Sequence, residues 1–320
     1  MDGTATPDLD PRFARPRTLF FGIGAQKAAT SWLDTFLRGH PEVCLPVRKE
    51  QHYWTTMRLP GASDRRARVA WQVAKIEQRS LAKRLFRAPR KRLTDQAWRL
   101  NQAMLREDQK PGHRAYADVL FQAWRGEPVA GEITPAYALL ESETFAEMAG
   151  LAGDVRFVFI MRDPVARLVS ATRMNMRKRH RSDGPRPKPL SFEHRMAEVV
   201  ADPANTGLLR SRYDLTIQRM EAVVPRERIA YFFFEELFRQ PEIDRLTDFL
   251  GVTPLPAPFA QKVNSGARRG SGVMAKPLDA GLEAQAMAAL APTYAFVRER
   301  FGPLVPEGWR TPSAALAASA

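Results

Sequence analysis

The sequence predicts an α/β protein: a central parallel sheet with helices on both faces, P-loop-like nucleotide-binding architecture, and a helical insertion. Three observations lead there. Apolar, β-rich runs alternate with helix-like stretches, the order expected of parallel strands joined by helical crossovers. The stretch between Thr55 and Ala123 contains no strand-like run. The first apolar run leads through a loop of small residues, with a Lys and two hydroxyls, straight into a helix. Residues 1–320 are expected to form one domain, with the basic helical insertion at about 55–123.

Taken in order, Thr18–Ile23 (TLFFGI) reads as a buried strand and Thr30–Arg38 as the helix after it. In the insertion, Val69, Val73 and Ile76 recur at helical spacing, so this segment is read as helices forming a lid over the sheet. Val129–Ile133 is a short strand. Val155–Met161 (VRFVFIM) is the clearest strand, running into a helix from about Val165 to Arg179. Ser182–Pro189 is a loop by its Gly and Pro content. Arg228–Phe234 is a further strand, and Glu235–Leu250 a helix stopped by Gly251. The Ala- and Ser-rich tail after Pro306 is expected to fray. In such sheets ligands bind at the carboxyl ends of the strands, which directs attention to the residues just beyond them.

Of the 320 residues 44% are hydrophobic, enough for a sizeable core, and no apolar run reaches the ~18 residues a membrane span needs. Met1–Pro16 has no apolar segment of the secretory kind, and Cys44 is the only cysteine, which excludes an intrachain disulfide or a cysteine-based zinc site. A cytoplasmic location fits best. The net charge of +14 attracts polyanions. It is uneven: Gly61–Arg114 holds 15 Lys/Arg against 5 Asp/Glu, and a second basic run spans Arg173–Arg195. Such runs serve as solvated helix faces or as contacts with an anionic membrane surface. No recognised nucleic-acid module accompanies them, so no nucleic-acid partner is expected.

Two constellations carry chemistry. After the first strand comes Gly22-Ile23-Gly24-Ala25-Gln26-Lys27-Ala28-Ala29-Thr30-Ser31, then Trp32 and Leu33 inside the helix. Small residues let the backbone turn closely around a ligand, and a helix N-terminus presents free N–H groups to a phosphate or sulfate. Lys27 adds a full charge; Thr30 and Ser31 add hydroxyls. The loop lacks the Gly-Lys-Ser/Thr ending of a Walker A loop. The second constellation follows Val155–Met161: Arg162-Asp163-Pro164, then Ser170 two helical turns on. An Arg with a nearby hydroxyl makes a phosphate clamp; a helix cap beside a surface arginine is the plainer reading. A nucleotide-dependent kinase of the P-loop type is the alternative function, with Asp163 as its magnesium ligand.

Together these segments resemble the sulfotransferase superfamily. Gln26–Ser31 resembles its 5′-phosphosulfate loop and Arg162 through Ser170 its 3′-phosphate motif. Lys49-Glu50-Gln51-His52-Tyr53-Trp54 and Gly131-Glu132-Ile133-Thr134-Pro135-Ala136-Tyr137 resemble segments of the branch that includes heparan sulfate sulfotransferases and many bacterial enzymes. Lys262-Val263-Asn264 with Arg268-Arg269-Gly270 resembles the nucleotide-covering loop. The insertion lies outside the resemblance. The resemblance implies transfer of a sulfuryl group from 3′-phosphoadenosine 5′-phosphosulfate (PAPS) to an acceptor hydroxyl, leaving 3′-phosphoadenosine 5′-phosphate (PAP), with no metal. It implies that Lys27 stabilises the leaving phosphate, and that Gln26, Ala28, Ala29, Thr30, Ser31 and Trp32 complete the donor site. Arg162, Ser170, Arg268, Arg269 and Gly270 would hold the 3′-phosphate. Glu50 would be the general base, with His52 orienting it, or His52 the base itself. The implied acceptor is a small molecule or glycan: an alcohol of a sugar, glycolipid or metabolite. Ile133 stands where heparan-type enzymes carry a Lys that touches the sulfated substrate, which argues against a glycosaminoglycan. Ala28 and Ala29 stand where Gly is common, which costs nothing if neither needs a positive φ. His40 reads as a helix-end residue.

Overall fold

The computed structural model describes residues 9–79, 88–106, 111–182, 191–260 and 278–309. Strand β1 (Thr18–Gly24) leads into α1 (Thr30–Arg38) and the two-residue β2 (Val43–Cys44). Among the described residues four α-helices follow, α2 (Tyr53–Arg58), α3 (Ala62–Glu77), α4 (Pro89–Arg106) and α5 (Arg114–Leu120), before β3 (Val129–Ile133) and α6 (Ser142–Ala149). Next come β4 (Val155–Met161), α7 (Pro164–Ser182), α8 (Phe192–Ala201), the single turn α9 (Thr206–Leu209) and α10 (Tyr213–Glu221). The described chain closes with β5 (Ile229–Phe233), α11 (Gln240–Leu250) and α12 (Ala280–Phe301).

The strands form one sheet in the order β2-β3-β1-β4-β5, every pair parallel, as the alternation of strand and helix requires. β1 is central and buried at all its positions, which explains why it is apolar throughout rather than alternating. Its neighbour β3 approaches closely because position 131 is glycine: a Cβ there would lie 2.3 Å from the Phe20 side chain and carbonyl. The chain leaves β1 toward β2 but leaves β4 toward β5, so the two connections part above adjacent strands. That parting is the crevice where open α/β sheets bind ligands. The loop carrying Lys27 and the residue Arg162 both lie at this edge.

The insertion is helical, as expected. Val69, Val73 and Ile76 are buried, and α3 packs on α4 with Arg79 paired to Asp95 at 2.7 Å. The helices rest on the segment around Glu50. Asn101 Nδ2 donates to Gln51 Oε1 at 3.2 Å, and the Arg48 guanidinium lies 3.4 Å from the centre of the Trp98 ring. A smaller helical core beside the sheet joins Leu168 of α7, Met196 of α8 and Leu290 of α12.

The structure corrects three local expectations. The helix expected over Glu235–Leu250 begins only at Gln240, with Pro241 in its first turn; Glu236 and Leu237 instead fold back to the Phe233 carbonyl. β2 is too short to show as a run. α12 has no counterpart in the sequence reading: Pro292 interrupts its pattern, yet burial of Ala286, Leu290, Thr293, Val297 and Phe301 along one side holds it. Residues 183–189 of the expected loop, and the tail from 310, lie outside the described residues. Among the described residues no helix is long and apolar enough to cross a membrane.

Candidate active site

The loop between β1 and α1 alternates the hand of its backbone. Lys27 and Ala29 have φ of 78° and 59°, while Ala28 between them does not have positive φ. Backbone of alternating hand turns successive N–H groups to one side, the geometry of an anion nest. The condition under which both alanines would cost nothing is therefore not met at Ala29, which sits in the left-handed region as the residue preceding α1. Ala29 offers no side-chain cap, so the first-turn N–H groups of α1 receive none from it. Two N–H groups of the loop have partners within the chain. The Ala28 N–H donates to Ala25 O at 3.1 Å and the Trp32 N–H to Ala29 O at 2.8 Å, so both are spent on the turn itself. The Trp32 ring is buried, stacked with Phe36 and Phe259 at 5.6 and 5.9 Å, and packs the core.

Arg162 joins this loop to β4. Its Nη1 donates to Lys27 O at 3.2 Å, its guanidinium lies 4.7 Å from the Phe234 ring centre, and its carbonyl accepts the Tyr213 hydroxyl at 2.8 Å. Asp163 is a cap: Oδ1 accepts the Ala166 N–H at 2.7 Å and Oδ2 the Tyr294 hydroxyl at 2.7 Å. Both oxygens thus position α7, Oδ1 at its first turn and Oδ2 against α12. Ser170 is half-buried two turns into α7 and makes no hydrogen bond to Arg162. Arg268, Arg269 and Gly270 lie outside the described residues.

The segment 48–52 arrives against the same helix end. Lys49 Nζ donates to Ser31 Oγ at 2.8 Å and lies 3.9 Å from Glu50 Oε1. Burial pushes the Lys49 ammonium below its usual value. Glu50 Oε2 is 3.5 Å from His52 Nε2, and His52 Nδ1 is 3.3 Å from Thr55 Oγ1. Burial lowers the His52 pKa; the hydrogen bond to Glu50 opposes it, and the charges of Arg65 and Arg210 act with burial. Glu50 and His52 both have positive φ, at 59° and 61°. Such backbone persists only where surroundings over-determine it, and the residue between them supplies that. Gln51 is buried; its N–H donates to Glu132 Oε2 at 3.2 Å and its side chain to Arg48 O.

The sequence reading assigns no role to four residues of this arrangement, although Lys49 and Glu132 lie within the segments that carry the resemblance. Glu132 is a buried hub, accepting from Tyr116, Tyr137 and Thr134 as well as Gln51. Lys49 adds a second ammonium beside α1. Arg65 of the insertion and Arg210 after α9 bring two guanidinium groups into the field of Glu50. Their charge is visible in the sequence, but only tertiary packing places them here. Of the remaining histidines, His40 is buried between Thr253 O, 2.9 Å from Nε2, and the Glu42 N–H, 3.2 Å from Nδ1, a helix-end role as expected. His113 meets the Tyr53 hydroxyl at 2.8 Å. Among the described residues no cluster of metal-ligating side chains occurs.

No curated protein matches the sequence. Among solved structures the fold is similar to that of a sulfotransferase from Alicyclobacillus acidocaldarius, at 22% identity and a TM-score of 0.60 over 93% of this chain and 100% of that one. The sulfotransferase domain of the olefin synthase of Synechococcus PCC 7002 is 17% identical with a TM-score of 0.48, over 86% of this chain and 95% of that one. The narrower likeness to the heparan sulfate branch finds no support in these comparisons. The sequence profile of the sulfotransferase family matches residues 20–256, from β1 past α11, a span that includes the helical segment outside the motifs of the resemblance. The chain belongs to the sulfotransferase family.

Proposed function

We propose that this protein transfers a sulfuryl group from PAPS to an acceptor alcohol by in-line displacement. The observation that carries the reading is the meeting of three segments at the N-terminus of α1: the Lys27 loop, Arg162 bonded to its carbonyl, and the Glu50 segment tied to Ser31 through Lys49. An uncapped helix end, an anion nest and two ammonium groups fit a sulfated phosphate donor.

The donor, when bound, supplies the sulfuryl group and a phosphate that departs with increasing negative charge. Transfer of this kind has a loose transition state, so the protein contributes position and charge rather than covalent chemistry. Lys27, the Thr30 and Ser31 amides and the Ser31 hydroxyl would hold the phosphate side, with Lys27 opposing the charge that grows on it. Lys49, hydrogen-bonded to Ser31, extends the same positive field. On the acceptor side Glu50 is the general base. Both nitrogens of His52 face groups of the chain, Glu50 and Thr55, which suits it to orienting the carboxylate, whereas the Glu50 side chain is 42% exposed and within reach of an incoming hydroxyl. Arg162, with Ser170 and the segment containing Arg268, Arg269 and Gly270, would hold the 3′-phosphate.

Calorimetric titration with PAP and with AMP tests the donor. The wild type should bind PAP more tightly than AMP, because Arg162 reads the phosphate that AMP lacks. Losing one partner of a buried charge pair costs ~2–5 kcal/mol, so Arg162→Ala should weaken PAP by roughly 30- to 3,000-fold and shrink the preference. Equal binding of the two nucleotides by the wild type would refute the assignment.

A further inference from the structure

At Thr55, whose hydroxyl meets His52, the fold forms an open cleft of about 450 Å³, within the range of small-molecule sites. Its walls come from four places: the end of α2 and start of α3, the turn after β3, and the α9–α10 region. Leu59, Ala136, Leu209 and Leu215 make part of it apolar, but three arginines also face it: Arg65, Arg210 and Arg219.

The arginines differ in what they are given. Arg219 is neutralised by Glu141 at 2.9 Å. Arg65 donates through Nη1 to the Thr55 hydroxyl at 3.1 Å and has no carboxylate within ion-pair distance among the described residues. The Arg210 guanidinium makes no hydrogen bond among the described residues, and its Nε is buried and unsatisfied. Burial drives the Arg65 pKa down to about 10, with Arg68 and Arg210 acting in the same sense, and burial lowers that of Arg210, which Glu50 partly relieves; a guanidinium keeps its charge in proteins. Two guanidinium groups so placed are costly to keep. Each is a planar fork of donors suited to an oxyanion.

We propose that this cavity is the acceptor subsite and that Arg65 and Arg210 bind an oxyanion of the acceptor, so that the substrate class is a hydroxylated carboxylic acid or phosphate ester with a compact apolar body. The proposal rests on the reading of Glu50 as the acceptor-side base. Thr55 links the two functions, since its Oγ1 touches both His52 Nδ1 and Arg65 Nη1. An acceptor anchored by its anionic end at the arginines would turn its hydroxyl toward Glu50. The insertion then contributes directly to acceptor binding, because α3 brings Arg65 to the site.

The test uses the full chain and three probes that each have eight carbons: 8-hydroxyoctanoate, 8-hydroxyoctyl phosphate and octane-1,8-diol. Calorimetry measures each against the free protein and against its PAP complex, and sulfated product is followed by mass spectrometry with PAPS. The wild type should bind at least one anionic probe about 10- to 100-fold more tightly than the diol, the loss expected when a charged hydrogen bond goes unmade. Arg210→Gln and Arg65→Gln should each erase most of that preference while leaving PAP affinity unchanged. Which anionic probe wins distinguishes a carboxylate from a phosphate acceptor. Equal binding of acid, phosphate and diol, no binding of any of them by the wild type, or a preference that survives both substitutions overturns the proposal. Failure to bind PAP would instead refute the donor reading, and the probes titrated into the free protein would still judge the arginine pair.

Discussion

Replacing Glu132 by Gln perturbs the hub beneath the candidate base without changing its shape. The carboxylate is 1% exposed. Oε1 accepts from the Tyr116 and Tyr137 hydroxyls at 2.5 and 2.7 Å; Oε2 accepts from Thr134 Oγ1 at 2.6 Å and the Gln51 N–H at 3.2 Å. Burial raises the carboxyl pKa, while the hydroxyl and amide donors oppose that rise. A glutamine keeps one oxygen and replaces the other with an amino group that cannot accept. The Gln51 N–H is fixed in the backbone and cannot turn around, so the retained oxygen stays on its side. The two tyrosine hydroxyls then face donors, and reversing them leaves their own hydrogens buried without acceptors. Each such group costs about 1–3 kcal/mol, so Glu132→Gln should lose about 2–6 kcal/mol of stability. Urea denaturation of wild type and variant measures this. In the Glu132→Gln background, changing Tyr116 and Tyr137 to Phe should cost less than in the wild type, since the stranded hydroxyls are gone. Because Gln51 links Glu50 to His52, kcat should fall as well. A stability loss below about 1 kcal/mol, or a tyrosine pair that costs the same in both backgrounds, would refute the hub.

Lys27→Ala should reduce turnover far more than PAP affinity, because the lysine faces charge that grows only in the transition state; near-wild-type kcat in a single-turnover assay would remove it from the mechanism. Glu50→Gln should lower kcat by about 10²–10⁴-fold with PAP binding retained, whereas His52→Ala should cost less; the reverse order in steady-state kinetics would make His52 the base. Asp10 is held below the ordinary aspartate pKa by its hydrogen bonds to Arg12, its carboxylate oxygens lying 2.8 Å from the guanidinium nitrogens. The folded-state pKa being the lower one, its stabilisation is complete above the unfolded value near 3.8 and is lost as pH falls through the folded value. Asp10→Asn should therefore be less stable at neutral pH and show a shallower stability loss below about pH 4 in acid titrations of the melting temperature.

Local signals carry much of the architecture. Val129–Ile133 and Val155–Met161 end where their apolar runs end, and α1 begins where the loop's small residues stop. Gly251, at φ 72°, closes α11 where a left-handed residue is expected. The Lys27 loop is legible because anion binding by backbone needs only neighbours in sequence. The packing of the Trp32 ring is not legible there, because its position beside the loop says nothing about Phe259, which stacks on it from far along the chain.

What the sequence by itself determined was the parallel α/β class, the loop of small residues with Lys27 that leads into α1, and the charge of the helical insertion. These are short-range properties: periodicity, backbone freedom and composition act over a few residues. Only the tertiary structure decided that Arg65 and Arg210 share one cavity, that Lys49 meets Ser31, and that Glu132 braces the residue between Glu50 and His52. Those pairings bring together residues from separate elements, and each depends on how far one element slides over another to bury its apolar face. A helix pattern states which face is buried but not which neighbour's charge that burial will set beside it, because packing is chosen by the fit of whole surfaces and the polar contacts follow from it.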